Sequence, residues 1–455
     1  MMDQQPDSPY ADGANSSSSE KHDAESRFPT EEDPYLPQEQ SIDSLNAQVD
    51  QKLSEGGYGW VCVACAFLIY AHSWGIASTY GVFLAYYKTN DVFPNASSIG
   101  YAFVGGLTIS CCVGVAPLAN YLSHAIGASR PVILLGTILE CVALLGASYA
   151  KQQWHMILTQ GICLGLGIGF QFIIVAGIIP QWFEKRRSFA NSITVGGAGI
   201  GGFIYALAAQ RMLASLSLQK TFWILCGVTT AVNTVSALLV RDRNKESASN
   251  LSKLEFTLLK RPDVLLLLGW SVFSMLGYVA LMFSIPSYAK AVGGTASQGA
   301  LAGAIFNLGQ GLGRPTVGLI SDQCGRVAVA SVATLACSAL CIVMGAVARR
   351  FSVVCGLSFL AGATGGSFWA TVVPIAAELV SLSSMPSLST FVWLSIMAPT
   401  LISEAIALVL AERVVAERPY FSVQIFICSM YFAAAVCLVF LLPSFRSTLV
   451  SKIHK

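Results

Sequence analysis

Apolar runs of about 20 residues recur from Trp60 onward, each long enough to cross a hydrocarbon core of ~30 Å as a helix. They fall at 60–87, 99–121, 131–150, 155–179, 188–210 and 221–240, then at 263–289, 298–320, 328–347, 352–380, 387–411 and 420–442. A polar stretch, Arg241 to Pro262, divides them six and six. The expected fold is an all-α polytopic membrane protein of 12 transmembrane helices, arranged as two six-helix bundles, 55–240 and 263–445, about a central loop, 241–262.

Charge supports this reading. Hydrophobic residues make up 54% of the chain and charged ones 11%, too few to cover the surface of a soluble protein of this size, where about 25% is usual. Residues 1–54 hold twelve acids against three bases, with almost no aliphatic clusters, and are expected to be a disordered cytosolic tail. That segment lacks the apolar core of a secretory signal, so the first span should act as the targeting element. The N-terminal tail and even-numbered loops, with the short C-terminal tail 446–455, carry seventeen of the 27 Lys and Arg; the odd loops carry nine. This positive-inside asymmetry puts both termini in the cytosol; the plasma membrane is the expected site, with a vacuolar or other internal membrane as the alternative. The basic excess thus reads as topology, and no nucleic-acid partner is expected.

Other motifs resolve into packing. Twelve of thirteen cysteines fall inside spans, and the lone pair Cys62 and Cys65 lacks the second pair that a zinc site needs, so no metal is expected. Gly165-Leu-Gly167-Ile-Gly169 and Gly197-Ala-Gly199-Ile-Gly201 lie within apolar spans with no preceding strand, which a phosphate-cradling loop requires. Gly161, Gly165 and Gly169 form instead a small-residue stripe for a close helix crossing, as do Gly197 and Gly201. With no nucleotide loop, no cofactor is expected, and ion or solute gradients should supply the energy. Asn95-Ala96-Ser97 is a glycosylation sequon in the first outer loop, too near the bilayer to favour modification.

Three blocks resemble a known family. Glu55-Gly56-Gly57-Tyr58-Gly59-Trp60 is similar to the signature that opens the first helix of monocarboxylate-transporter-like members of the major facilitator superfamily. Trp182-Phe183-Glu184-Lys185-Arg186-Arg187 resembles that family's loop between the fourth and fifth helices. Gly313-Arg314-Pro315, then Gly318, Ser321-Asp322 and Gly325-Arg326, resembles its eighth helix and the loop beyond. Tyr80-Gly81-Val82-Phe83, Tyr86-Tyr87 and the acidic tail resemble the fungal branch. The resemblance implies a monomeric secondary transporter in the lipid bilayer, with its site near the midplane between the bundles.

Buried charges are the best site candidates, since each costs several kcal/mol unless paired or solvated. Arg314 lies midway along the eighth span, and the resemblance gives it contact with a carboxylate substrate, which its planar fork matches. The plainer reading is a structural arginine held by helix carbonyls. Where animal relatives carry an aspartate four residues earlier, this chain has Gln310, and their first-helix lysine falls on Ser78. A lactate–proton site is therefore incomplete here. Protons, if carried, must use other groups: Glu404, Glu140 and His72 are the candidates, each with a packing or hydrogen-bonded alternative. Asn307, Gln171 and Ser367 are uncharged polar candidates for solute binding, and Phe368 and Trp369 could stack on a ring. Asp322 and Arg326 bracket a tight turn and could pair to latch one gate state, while Arg186, with Lys185 and Arg187, gives a basic cluster at the same end.

The function expected is secondary active transport of a small organic solute, a monocarboxylate or other organic anion, by alternating access. Efflux of a fungal secondary metabolite is the alternative; the absence of proline between Thr194 and Leu207 tips away from multidrug antiport. A non-transporting nutrient sensor would carry a longer structured extension, and a membrane enzyme would need a nucleophile, base or metal cluster that is not found. Neither would move solute in proteoliposomes.

Overall fold

The computed structural model describes residues 56–93, 96–183, 185–243, 254–381, 384–411 and 420–453. The acidic tail 1–54, the sequon residue Asn95 and much of the central loop lie outside the described residues.

Among the described residues, eleven helices are long and apolar enough to cross a membrane. They are α1 (Tyr58–Thr89), α2 (Phe103–Ile126), α3 (Ser129–Ser148), α4 (Gln153–Gln181), α5 (Arg187–Ser215), α6 (Leu218–Leu239), α7 (Pro262–Ala291), α9 (Arg326–Val347), α10 (Phe351–Leu379), α11 (Met385–Ala411) and α12 (Phe421–Leu442). Between α7 and α9 runs α8 (Ala296–Cys324), whose 29 residues reach about 43 Å at 1.5 Å each. It is long enough to span and fails only on apolarity, because it carries Asn307, Gln310, Arg314 and a run of glycines. With α8, the described residues hold the expected twelve long helices, and the least apolar of them carries Asn307, Gln310 and Arg314. The helix of α12 continues to Ile453, beyond its apolar run, so the short C-terminal tail is largely helical.

The outer surface of the bundle differs from that of a soluble protein. Large apolar side chains face outward, among them Val332 at 70% and Phe440 at 65% exposure, while Gln171, Asn191, Asn233, Gln310 and Gln424 are buried. An apolar outer surface suits lipid, and polar side chains kept within an otherwise apolar core suit a solute path.

Glycine decides how closely the helices meet. A methyl at Gly165 would stand 2.5 Å from the Thr108 carbonyl oxygen and one at Gly169 2.4 Å from that of Cys112, so the expected stripe packs α4 onto α2. On α5 two glycine faces serve two neighbours. Gly197 and Gly201 press on the Phe67 and Ala71 carbonyls of α1, whereas a methyl at Gly199 would lie 2.3 Å from the Gly311 nitrogen of α8. The α5–α8 seam, with α2 against α11, joins the two halves.

Side-chain hydroxyls break α1. Ser73 Oγ donates to the Ile69 carbonyl at 2.6 Å and Thr79 Oγ1 to that of Gly75 at 2.8 Å. Such back-bonding competes with the helical ladder and bends it, and α1 accordingly runs as Tyr58–His72, Trp74–Ser78 and Tyr80–Thr89. The middle piece faces the centre of the molecule. Helix α10 breaks at Gly366, where a methyl would come within 2.9 Å of Arg314 Nε, so the glycine makes room for the guanidinium.

Candidate functional site: a cationic cavity between the two halves

A cavity lies between the halves, walled by α1, α2, α4 and α5 on one side and α7, α8 and α10 on the other. Its polar wall is Arg314, Gln310, Asn307, Ser78, Thr108 and Tyr278; its apolar wall is dominated by Tyr70, Trp74, Phe172, Phe283 and Trp369. A second, adjoining space shares Ser78, Met282, Phe283 and Asn307 with the first.

Arg314 is 3% exposed. One terminal nitrogen donates to the Val195 carbonyl across the α5–α8 seam at 2.7 Å; the other donates to Gln310 Oε1 and to the Tyr278 hydroxyl. Its Nε has no partner, and among the described residues no carboxylate lies within ion-pair distance of it. Gln310 also accepts from Tyr278 at 2.7 Å and donates to Asn307 Oδ1 at 3.1 Å. An amide thus orients the guanidinium without neutralising it. A buried positive charge lacking a fixed counter-charge is costly unless something anionic visits.

Ser78, Asn307, Gln310 and Arg314 are therefore brought together in one wall. Gln171, Ser367 and Phe368 are not part of the lining. Gln171 turns away to donate to Glu140 at 2.8 Å, and Phe368 packs behind the wall on Trp270, ring centroids 5.1 Å apart. Their neighbours Phe172 and Trp369 line the cavity instead, since adjacent residues on a helix point about 100° apart. Tyr278, absent from the sequence-derived candidates, had a faint signal: Trp270, Ser274 and Tyr278 form a polar-edged row at four-residue spacing along α7.

The acids divide by position. Glu140 is 1% exposed and sits within one half, where Gln171 and Asn233 of α4 and α6 both donate to its Oε2, at 2.8 and 2.9 Å. His72 pairs through Nδ1 with the Tyr205 hydroxyl, also within that half. Glu404, 5% exposed on α11, lies at the contact between halves. Its Oε2 has no hydrogen-bond partner and faces Gly105, a cavity residue on α2, where a methyl would stand 2.9 Å from that oxygen.

At the end of the bundle where α1 begins, the gating candidates form a chain. Asp322 accepts from the backbone N–H groups of Ser188 at 3.2 Å and Phe189 at 2.9 Å, so an α8 carboxylate caps the N-terminus of α5 in the other half. Arg326 pairs with Asp322 at 3.4 Å and with Glu378 at 2.7 Å. Arg186 is exposed beside this chain. Nearby, Asn191 donates to the Ala370 carbonyl at 3.1 Å, a further cross-half bond. The Tyr58 and Trp60 rings pack on Trp182 and Phe183, at 6.1 and 4.9 Å, and a methyl on Gly59 would meet Trp182 Cβ at 2.9 Å. Two of the sequence motifs are thus one contact. Gly56 and Gly57, with φ of 115° and 59°, give the left-handed entry that leads into it.

Comparisons with known proteins agree with this architecture. The family model described as "Major Facilitator Superfamily" matches residues 61–294. The probable transporter MCH2 of Saccharomyces cerevisiae is 31% identical over 86% of this chain and 84% of its own length. Monocarboxylate transporter 2 of Mesocricetus auratus is 27% identical over 59% of this chain and 60% of its own, and the fujikurins efflux protein of Gibberella fujikuroi is 25% identical over 88% and 84%. Among solved structures, the transporter FucP superposes with a TM-score of 0.63 at 14% identity, covering 85% of this chain and 99% of that one, which speaks to the fold alone. A chain with this helical bundle, this family match and so close a full-length relative belongs to the Major Facilitator Superfamily and is an integral-membrane transporter of small solutes.

Proposed function

We propose that this transporter carries an organic anion, a monocarboxylate or a larger organic acid, and that Arg314 holds the carboxylate. One observation carries the reading: a buried guanidinium on the wall of the central cavity, with an unpartnered Nε and no carboxylate beside it. A guanidinium is the natural partner of a carboxylate, and the interior strengthens such a bond relative to water. The monocarboxylate transporter among the relatives supports a carboxylate passenger, and the efflux protein beside it leaves inward and outward transport both open.

Transport by alternating access follows from two halves that meet along α5–α8 and α2–α11 around the site. Asp322, Arg326 and Glu378 are read as the latch of the end where α1 begins, with Arg186 exposed at its edge. The loop-charge asymmetry supports a cytosolic position for that end, with the plasma membrane as the host. Glu404 is the favoured proton carrier, because it alone of the candidates sits where the halves meet.

Flux into proteoliposomes tests the assignment. Arg314→Ala should abolish uptake of a labelled carboxylate at normal protein incorporation, and Arg314→Lys should restore only part, since an ammonium cannot engage both oxygens in the plane. Undiminished flux in the alanine variant would remove Arg314 from the site.

A further inference from the structure

The cavity is unusual in what its walls lack. Among its lining residues there is one full charge, Arg314, and no acid. Around that charge the wall is aromatic. Tyr278 donates to Gln310 and faces Trp369, ring centroids 6.2 Å apart; Trp369 lies 5.3 Å from Trp74 and 5.8 Å from Phe172; Trp74 meets Phe172 edge-on at 5.6 Å. These rings come from both halves, so a passenger lying against the cluster would touch both. Their polar edges are incomplete: Trp74 Nε1, Trp369 Nε1 and the Tyr70 hydroxyl are buried with no acceptor. Rings that merely plugged one another would be expected to leave fewer buried donors idle.

Resting on the reading of Arg314 as the carboxylate anchor, we infer that the passenger is an aromatic carboxylic acid. Its carboxylate sits on Arg314 and its ring lies among Trp74, Phe172 and Trp369. Offset and edge-on contacts with these rings add to the burial of the ring itself.

Binding to the purified full-length protein, followed by quenching of tryptophan fluorescence and checked by calorimetry, tests this with four probes. Propanoate, 3-cyclohexylpropanoate and 3-phenylpropanoate share one head group; 3-phenylpropanol lacks the carboxylate. The phenyl acid should bind at least tenfold more tightly than propanoate and several-fold more tightly than the cyclohexyl acid, and the alcohol should bind weakly if at all. Trp74→Leu and Trp369→Leu should each bring the phenyl acid level with the cyclohexyl acid while propanoate affinity changes little. Equal binding of phenyl and cyclohexyl acids by the wild-type protein, which needs no variant to fold, would overturn the inference and leave the carboxylate reading intact. Binding of the alcohol as tight as that of the acid, unaffected by Arg314→Ala, would overturn the carboxylate reading itself.

Discussion

At the scale of single residues, the pairing of Arg314 with Gln310 sets the chemistry. Gln310 stands at the position that suggested a missing acid, and its amide oxygen takes the guanidinium bond that a carboxylate would otherwise take. Restoring the acid should change the pH behaviour of the site. In Gln310→Asp the ionised side chain competes with the passenger for Arg314; two unit charges at ~4 Å interact by about 4 kcal/mol at an effective dielectric constant near 20. Carboxylate affinity should fall tenfold or more at neutral pH and recover as acidification protonates the new side chain. Calorimetric titration across pH checks it, and an unchanged affinity at neutral pH would mean that Arg314 is not where the carboxylate binds. This part of the site was legible in the sequence, because a charge in an apolar span stands out against its surroundings. Tyr278, Trp74 and Phe172 were not, because an aromatic residue in a membrane helix looks the same whether it faces a cavity, a neighbour or lipid.

At the scale of helices, α5 is the shared bearing surface. Its glycines face α1 on one side and α8 on the other, and only the second contact belongs to the seam between halves. Gly199→Val would drive a branched side chain into the Gly311 backbone, for which there is no yielding atom. We expect uptake to drop to less than about a tenth of wild type with the protein still inserted, since overpacking of this kind costs about 1–3 kcal/mol or more. Gly177→Ala on α4, where a methyl meets nothing within 4 Å, should transport normally. Rates in proteoliposomes separate the two, and a fully active Gly199→Val would show that the seam opens freely. Helix number and position were legible because a membrane span must be long and apolar. The α8 segment was found only because its polarity falls short of breaking the run. The breaks at Ser73 and Thr79 were not legible, since serine and threonine occur throughout these helices without bending most of them.

At the scale of the whole molecule, the buried acids differ by what moves around them. Glu140 is enclosed by Gln171 and Asn233 within one half, so rocking of the halves leaves its surroundings unchanged. Glu404 faces Gly105 across the seam, so separation of α2 from α11 would open its unpartnered oxygen to water. Glu404→Gln should therefore flatten the dependence of uptake on external pH, and Glu140→Gln should keep it while lowering thermal stability. Initial rates between acidic and neutral pH decide this; a native profile in the Glu404 variant would place proton handling elsewhere.

The neutral amide beside Arg314 has an electrical consequence. With Glu404 protonated, a carrier built this way is cationic when empty and neutral once a monoanion is seated, so membrane voltage acts on the empty leg of the cycle alone, by at most about 2.3 kcal/mol per 100 mV. With a negative interior on the side where α1 begins, voltage draws the vacant site inward. That hastens recovery after outward release and slows it after inward delivery. Voltage by itself would make this molecule an expeller of anions, and accumulating them would require each one to arrive with a positive companion.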